Sequence, residues 1–146
     1  MKKENLKENR YYAQMVKQKS FCTLYYWLAT RFNLTMNDVA IFSIIYQYTH
    51  YAKSKTYSGS VERLCTFINA SKPTVRASLE LLHEKAFIKK EIRPIKDTKT
   101  GLYKNWVTYT SCINFDRVGW TVEEQIEMEL YDRKNNANKR IVNLKD

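Results

Sequence analysis

Glycine is scarce in this chain: Gly59, Gly101 and Gly119 stand alone among 146 residues. Three isolated glycines leave no GxxxxGK[ST] loop to cradle nucleotide phosphates and no GxSxG turn to present a nucleophile. Histidine is scarcer still, with only His50 and His83 and no HExxH pair. Cys22, Cys65 and Cys112 are scattered and form no CxxC, so no metal-ligand spacing links them to the histidines. An odd cysteine count without a secretory signal favours free thiols in a reducing compartment. No apolar run approaches the ~20 residues that cross a bilayer, and the N-terminus has no signal-type apolar core. No internal repeat is visible. The expectation is a cytoplasmic, single-domain protein, not an enzyme, with no metal, cofactor, membrane or small-molecule substrate.

Acidic residues are also in deficit. The chain carries 25 Lys and Arg against 15 Asp and Glu, a formal net charge of +10. A basic excess of this size favours an anionic partner, most often nucleic acid. It is unevenly spread: residues 72–104 hold nine Lys or Arg and four Asp or Glu, half the net charge in less than a quarter of the length.

Residues 60–88 read as two short helices joined by a tight turn. Val61, Leu64, Cys65 and Ile68 recur at i, i+3, i+4 and i+7, one apolar helix face. Asn69 tolerates the left-handed conformation that ends a helix, and Ser71 is a preferred N-cap. Pro73 falls in the first turn of the next helix, where a missing N–H does no harm. Val75, Leu79 and Leu82 give that helix an inner stripe. So short a connection imposes a steep crossing, as in a helix-turn-helix. Upstream, residues 21–32 are aromatic and apolar and predict a short strand or helix. Thr35 with Asp38 near a capping box opens a hydrophobic helix that ends near residues 50–53. Residues 53–59 are a loop. Downstream, residues 87–95 alternate as a strand ended by Pro94, residues 94–101 have turn chemistry, and residues 102–113 read as the return strand. A last helix starts at Thr121 with Val122, Ile126 and Leu130 at i, i+4 and i+8, followed by a polar tail expected to fray.

At 100° per residue, turning Val75, Leu79 and Leu82 inward leaves Pro73, Ala77, Glu80 and Glu84 outward, flanked by Thr74 and Arg76. Helix-turn-helix proteins reach base edges with the N-terminal part of the second helix. Lys72, Thr74, Arg76 and Ala77 are therefore the candidate base readers. Arg76 suits guanine N7 and O6; Ala77 or the Thr74 methyl suits a thymine methyl. Glu80 and Glu84 would meet phosphates if the whole helix inserted, so only its first half should enter a groove, or Glu80 should accept from a cytosine amine, or the wing should make the main contact. The candidate backbone contacts are Lys89, Lys90, Arg93, Lys96, Lys99 and Lys104 on the hairpin. Lys89 and Lys90 point to opposite faces of a strand. Tyr57, Ser58 and Ser60, at the start of the first helix, can meet a phosphate with hydroxyls and free helix N–H groups; Ser60 is equally a plain N-cap. Base stacking by the Tyr and Trp residues is set aside, because Tyr25, Tyr26, Trp27, Tyr46, Tyr48, Trp106 and Tyr109 sit in apolar segments that suit a core.

The progression Ser71-Lys72-x-Thr74-Val75-Arg76…Leu79…Leu82…Phe87-Ile88 resembles the recognition-helix region of bacterial winged-helix proteins. With the Trp27-Leu28 pair, the helix begun by Leu34-Thr35 and the Tyr57-Ser58-Gly59-Ser60 loop, residues 21–115 look like the winged-helix domain of plasmid and phage replication-associated proteins of low-GC bacteria. The N-terminal domain of DnaD-type primosome proteins is similar. The resemblance implies an α+β, mainly helical fold, a three-helix core with a β-hairpin wing. Residues 1–20 would add a basic arm or helix, and residues 116–146 a C-terminal helix and tail. It implies sequence-preferring binding to double-stranded DNA in replication of a mobile element. A plasmid or phage transcriptional regulator, a relaxosome or conjugation accessory protein, and a protein-binding winged helix are the alternatives. The stripe on residues 120–133, flanked by glutamates that DNA repels, either forms a homodimer surface or folds back on its own domain, over Trp27 or Trp106.

Overall fold

The computed structural model describes residues 22–145, with side chains as far as residue 137. The expected N-terminal arm, residues 1–20, lies outside the described residues. What is described is an α+β arrangement in chain order: α1 (Trp27–Phe32), α2 (Met36–Tyr51), α3 (Val61–Ile68), α4 (Lys72–Glu84), β1 (Ile88–Lys96), β2 (Tyr103–Ser111) and α5 (Val122–Lys145). The aromatic segment resolves into an irregular lead at residues 22–25 and the helix α1.

Helix α2 begins where the sequence predicts. The Thr35 hydroxyl accepts from the Asp38 N–H at 3.2 Å, and the Asp38 carboxylate accepts from the Thr35 N–H at 2.9 Å, a complete capping box. Val39, Ile41, Phe42, Ile45 and Tyr46 are all buried, so the helix is covered on most of its circumference. The ring of Phe42 meets that of Phe87 edge-on at 5.6 Å. A polar stripe on the same helix fastens the chain that leaves β2. Thr49 Oγ1 accepts from the Ser111 N–H, His50 Nε2 lies 3.0 Å from the Ile113 carbonyl, and the Tyr46 hydroxyl accepts from the Phe115 N–H. Three side chains at i, i+3 and i+4 thereby bind three alternate residues of an extended segment.

Between α3 and α4, Asn69 takes φ 52° and ψ 53°, the left-handed conformation expected of it. Ser60 caps α3, its hydroxyl accepting from the Arg63 N–H at 3.1 Å. Ser71 occupies the N-cap position of α4 but makes no capping bond to the backbone. Pro73 removes one of the two amides such a cap serves, and the Thr74 hydroxyl lies 2.9 Å from Ser71 Oγ instead. Val75, Ser78, Leu79 and Leu82 face inward, as the wheel requires. The end of α4 aims the hairpin. Phe87 N–H donates to the Leu82 carbonyl and Ala86 N–H to that of His83, the paired bonds of a Schellman cap. Ala86 supplies the left-handed residue, φ 62°, where glycine is usual. Its Cβ costs about 1 kcal/mol in that conformation, and the side chain is fully buried in return.

Strands β1 and β2 pair antiparallel from Ile88↔Ser111 to Lys96↔Tyr103. The expectation that Pro94 ends β1 is corrected: the strand continues through it to Lys96. Cys112 N–H bonds the Phe87 carbonyl and Asp97 N–H bonds that of Leu102, so odd-numbered positions of β1 make the ladder bonds. Pro94 is even-numbered, and the nitrogen that lacks a hydrogen faces the free edge. Tyr57 adds a one-residue bridge on the far side of β2, exchanging two bonds of 2.8 and 2.9 Å with Tyr109.

The last helix corrects one expectation. It continues to Lys145 instead of fraying near residue 135. Of the two readings of its apolar stripe, the packing follows the fold-back one: Val122 and Ile126 pack on the core of their own domain, and of the three stripe residues Leu130 alone stays exposed. The Gln125 amide, buried, accepts from the Asn114 N–H at 2.8 Å and donates to the Asn114 carbonyl at 3.2 Å. The Arg133 guanidinium donates to the carbonyls of His83 and Ile88 and pairs with Glu129 at 2.9 Å. Arg133 thus holds α5 against the junction of α4 and β1.

Two measurements check this packing. A Cβ on Gly59 would lie 2.5 Å from the Tyr57 hydroxyl oxygen, and that ring is buried and donates to the Ser60 carbonyl. Gly59→Ala should cost about 1–3 kcal/mol of unfolding free energy in a denaturant titration. Burial pushes the Cys112 thiol up to about 12, with Glu129 adding to the shift and Arg133 opposing it. Since the thiolate is the reactive form, alkylation of native Cys112 should stay negligible up to about pH 9 and become fast only in denaturant. Rapid native labelling, read by mass spectrometry, would mean that α5 is not docked.

Candidate functional site

One face of α4 and the hairpin lie on either side of an open cleft of about 570 Å³. Local sequence places each wall. The α4 stripe turns Arg76, Glu80 and His83 toward the hairpin, and the strand alternation turns Lys90, Val107 and Tyr109 toward α4. The floor is the start of α3, with Ser58, Gly59 and Ser60. Lys104, Asn105 and Trp106 complete the hairpin side.

Of the residues singled out from sequence, Ser58, Ser60, Arg76, Lys90 and Lys104 are brought together in this cleft. Lys72 and Ala77 are exposed on the outward surface of α4, and Thr74 is half-buried there. Lys89 points to the opposite face of β1 from Lys90, as alternation demands. Arg93, Lys96 and Lys99 are exposed on the outer hairpin. Arg93 pairs with Glu91 at 3.3 Å, whereas Lys96 and Lys99 enter no ion pair among the described residues. At the tip, Asp97 Oδ1 accepts from the Lys99 N–H, an Asx turn that shapes the loop.

Tyr57 is a correction. Its side chain is buried, its ring stands edge-on to Tyr48, and its hydroxyl donates to the Ser60 carbonyl. Burial pushes its phenol up to about 12. The bridge to Tyr109 draws this residue into the core, so it cannot meet a phosphate. Ser60 also has its oxygen engaged as the α3 cap.

Two acidic residues temper the positive surface. Lys72 is paired with Glu62 of α3 at 2.5 Å, and the hydrogen bond from that ammonium is the main reason the Glu62 carboxyl is held below its ordinary range. Glu80 lies in the cleft, and its charge joins burial in raising the Tyr109 phenol. Among the described residues no cluster of His, Cys, Asp or Glu could hold a metal ion.

Sequence reasoning missed His83, Asn105 and Trp106. Its apolar segment predicts a core position for Trp106, yet it is about half-exposed beside the cleft. Its distance from the hairpin base carried the signal. The buried members of the pair of strands are Ile88 and Tyr109, so a residue three beyond Tyr109 has no layer to pack on.

No protein-family model matches the chain, and no curated protein matches it either.

The Lys72–Glu62 pair generates a direct test. Glu62→Gln frees the ammonium and removes a negative charge beside the N-terminal end of α4. Binding of heparin, a plain polyanion, should tighten roughly two- to fivefold at low salt, and the gain should vanish at high ionic strength.

Proposed function

We propose that this chain is a winged-helix protein that binds double-stranded DNA with sequence preference, serving replication of a bacterial mobile element. The observation that carries the reading is that Arg76, exposed on the first half of α4, shares one open cleft with Lys90 and Lys104 of the hairpin. The order of elements supports it. Helix α2, the Tyr57 bridge, α3, α4 and the hairpin follow one another as helix, strand, helix, helix and wing, with Tyr57, β2 and β1 side by side. In this reading the first turns of α4 enter the major groove, with Arg76 and Ala77 at base edges. Thr74 is half-buried and Lys72 is engaged by Glu62, so Arg76 carries most of the recognition. Lys90 and Lys104 face the adjacent backbone, while Lys96 and Lys99 reach a phosphate farther along. The same interface serves a transcriptional regulator or a conjugation accessory protein equally, and those roles differ in the DNA site bound, not in the contact chemistry.

Duplex titration over a salt series tests this. Affinity should fall steeply as counterions are released. Arg76→Ala should cost about 1–3 kcal/mol on a site selected from random duplex and relax preference at one base pair. Lys96→Ala with Lys99→Ala should weaken binding to all sequences alike and flatten the salt slope by about 2. Absence of duplex binding at low salt would end the proposal, and equal loss on selected and random DNA would reduce Arg76 to a phosphate contact.

A further inference from the structure

The outer hairpin is unusual for a charged surface element. Ile92, Ile95, Leu102, Tyr103 and Trp106 are all exposed there, Tyr103 by 73% and Trp106 by 47%. They are interleaved with cations. Residues 88–111 carry Lys89, Lys90, Arg93, Lys96, Lys99 and Lys104 against Glu91 and Asp97. The register makes each exposed ring the cross-strand neighbour of a cation: Trp106 opposite Arg93, and Tyr103 opposite Lys96. Neither ring takes part in an aromatic or cation–ring contact among the described residues. The cation–ring stacks among the described residues are Arg31 on Phe32, Arg63 on Phe67 and Arg117 on Trp120, and the ring–ring contacts likewise involve neither Tyr103 nor Trp106.

Positions 93 and 96 have opposite parity, so the two ring–cation pairs occupy opposite faces of the hairpin. A plain phosphate-binding wing needs the lysines but gains nothing from exposed aromatic and aliphatic side chains. An unpaired nucleotide offers one phosphate and one open π face, the two groups that each pair matches. A closed duplex hides its base faces by stacking. Two such pairs, one on each face, match two separated strands.

We infer that the hairpin is a wedge for opened duplex DNA, with unpaired bases of one strand stacking on Trp106 beside Arg93 and those of the other on Tyr103 beside Lys96. The inference rests on the DNA-binding reading above and extends it from holding a duplex to holding a locally melted one.

Anisotropy titrations of the full chain test it with three probes of one mixed sequence: a matched duplex, the same duplex with a short internal mismatch bubble, and the single strand. Trp106→Leu and Tyr103→Leu, alone and together, keep an apolar side chain but remove the π face, and both sites are exposed enough for folding to survive. The wild type should bind the bubble about tenfold or more tighter than either the matched duplex or the single strand. Each leucine should cut the bubble-over-duplex ratio by about tenfold. A 2-aminopurine in the bubble should be quenched by the wild type and not by the double variant. Equal binding to bubble and duplex, or variants that keep the ratio, would overturn the wedge while leaving duplex binding standing. Single-strand affinity equal to that for the bubble would overturn the two-faced geometry. Failure to bind any of the three DNAs would remove the DNA-binding reading itself. If the leucine variants lose binding to phosphatidylglycerol vesicles yet keep the bubble preference, the rings serve a lipid surface and the wedge is overturned.

Discussion

Helix α2 carries the rest of the structure because it is apolar around most of its circumference and polar along one narrow stripe. The apolar part gives α1, α3, α4 and the base of the sheet a common body to pack against. The polar stripe of Tyr46, Thr49 and His50 does a different task. It satisfies the backbone of Ser111 at the end of β2 and of Ile113 and Phe115 beyond it, where a chain with no further strand to pair with would otherwise bury unpartnered groups. Without that suture the return strand keeps only the one-residue bridge to Tyr57 on that side, and a two-stranded hairpin by itself is marginal in water.

The direction of the hairpin depends on small devices at its root. The Schellman cap at Ala86 turns the chain sharply out of α4, and Tyr57 clasps β2 from the other side. Arg133 then ties α5 to the carbonyls of His83 and Ile88, the two sides of the same turn. Three separate parts of the chain therefore meet where α4 hands over to β1. Charge-assisted bonds to backbone carbonyls are worth more than neutral ones, so this junction is braced from behind, and the angle between α4 and the hairpin is set there.

The surface that results combines two chemistries. Lysines and arginines line the cleft and the hairpin, but Glu62 and Glu80 restrain the field near α4. On the outer hairpin Lys96 and Lys99 enter no ion pair among the described residues. The exposed rings lie on the same element. On the proposed DNA-binding reading, affinity and any selectivity for the state of the DNA would reside in the hairpin, and selectivity for sequence in Arg76.

Much of the fold was legible in the chain because the signals were local. Thr35 with Asp38, Asn69, Ser60 and the stripe Val75, Leu79 and Leu82 each act within one or two helical turns, and each does what its chemistry predicts. The alternation of Lys89 and Lys90 is equally local, as is the basic density of residues 72–104. Tertiary structure decided what depended on a distant partner. Tyr57 is a core residue only because Tyr109, 52 positions later, pairs with it. Pro94 continues a strand only because β1 turns out to be the free edge of the sheet. Val122 and Ile126 are covered by their own domain because Gln125 and Arg133 find backbone partners at Asn114, His83 and Ile88. Trp106 is exposed because the strand carries it beyond the last buried layer. Composition makes a residue apolar, but whether it is buried depends on which other surface arrives to cover it.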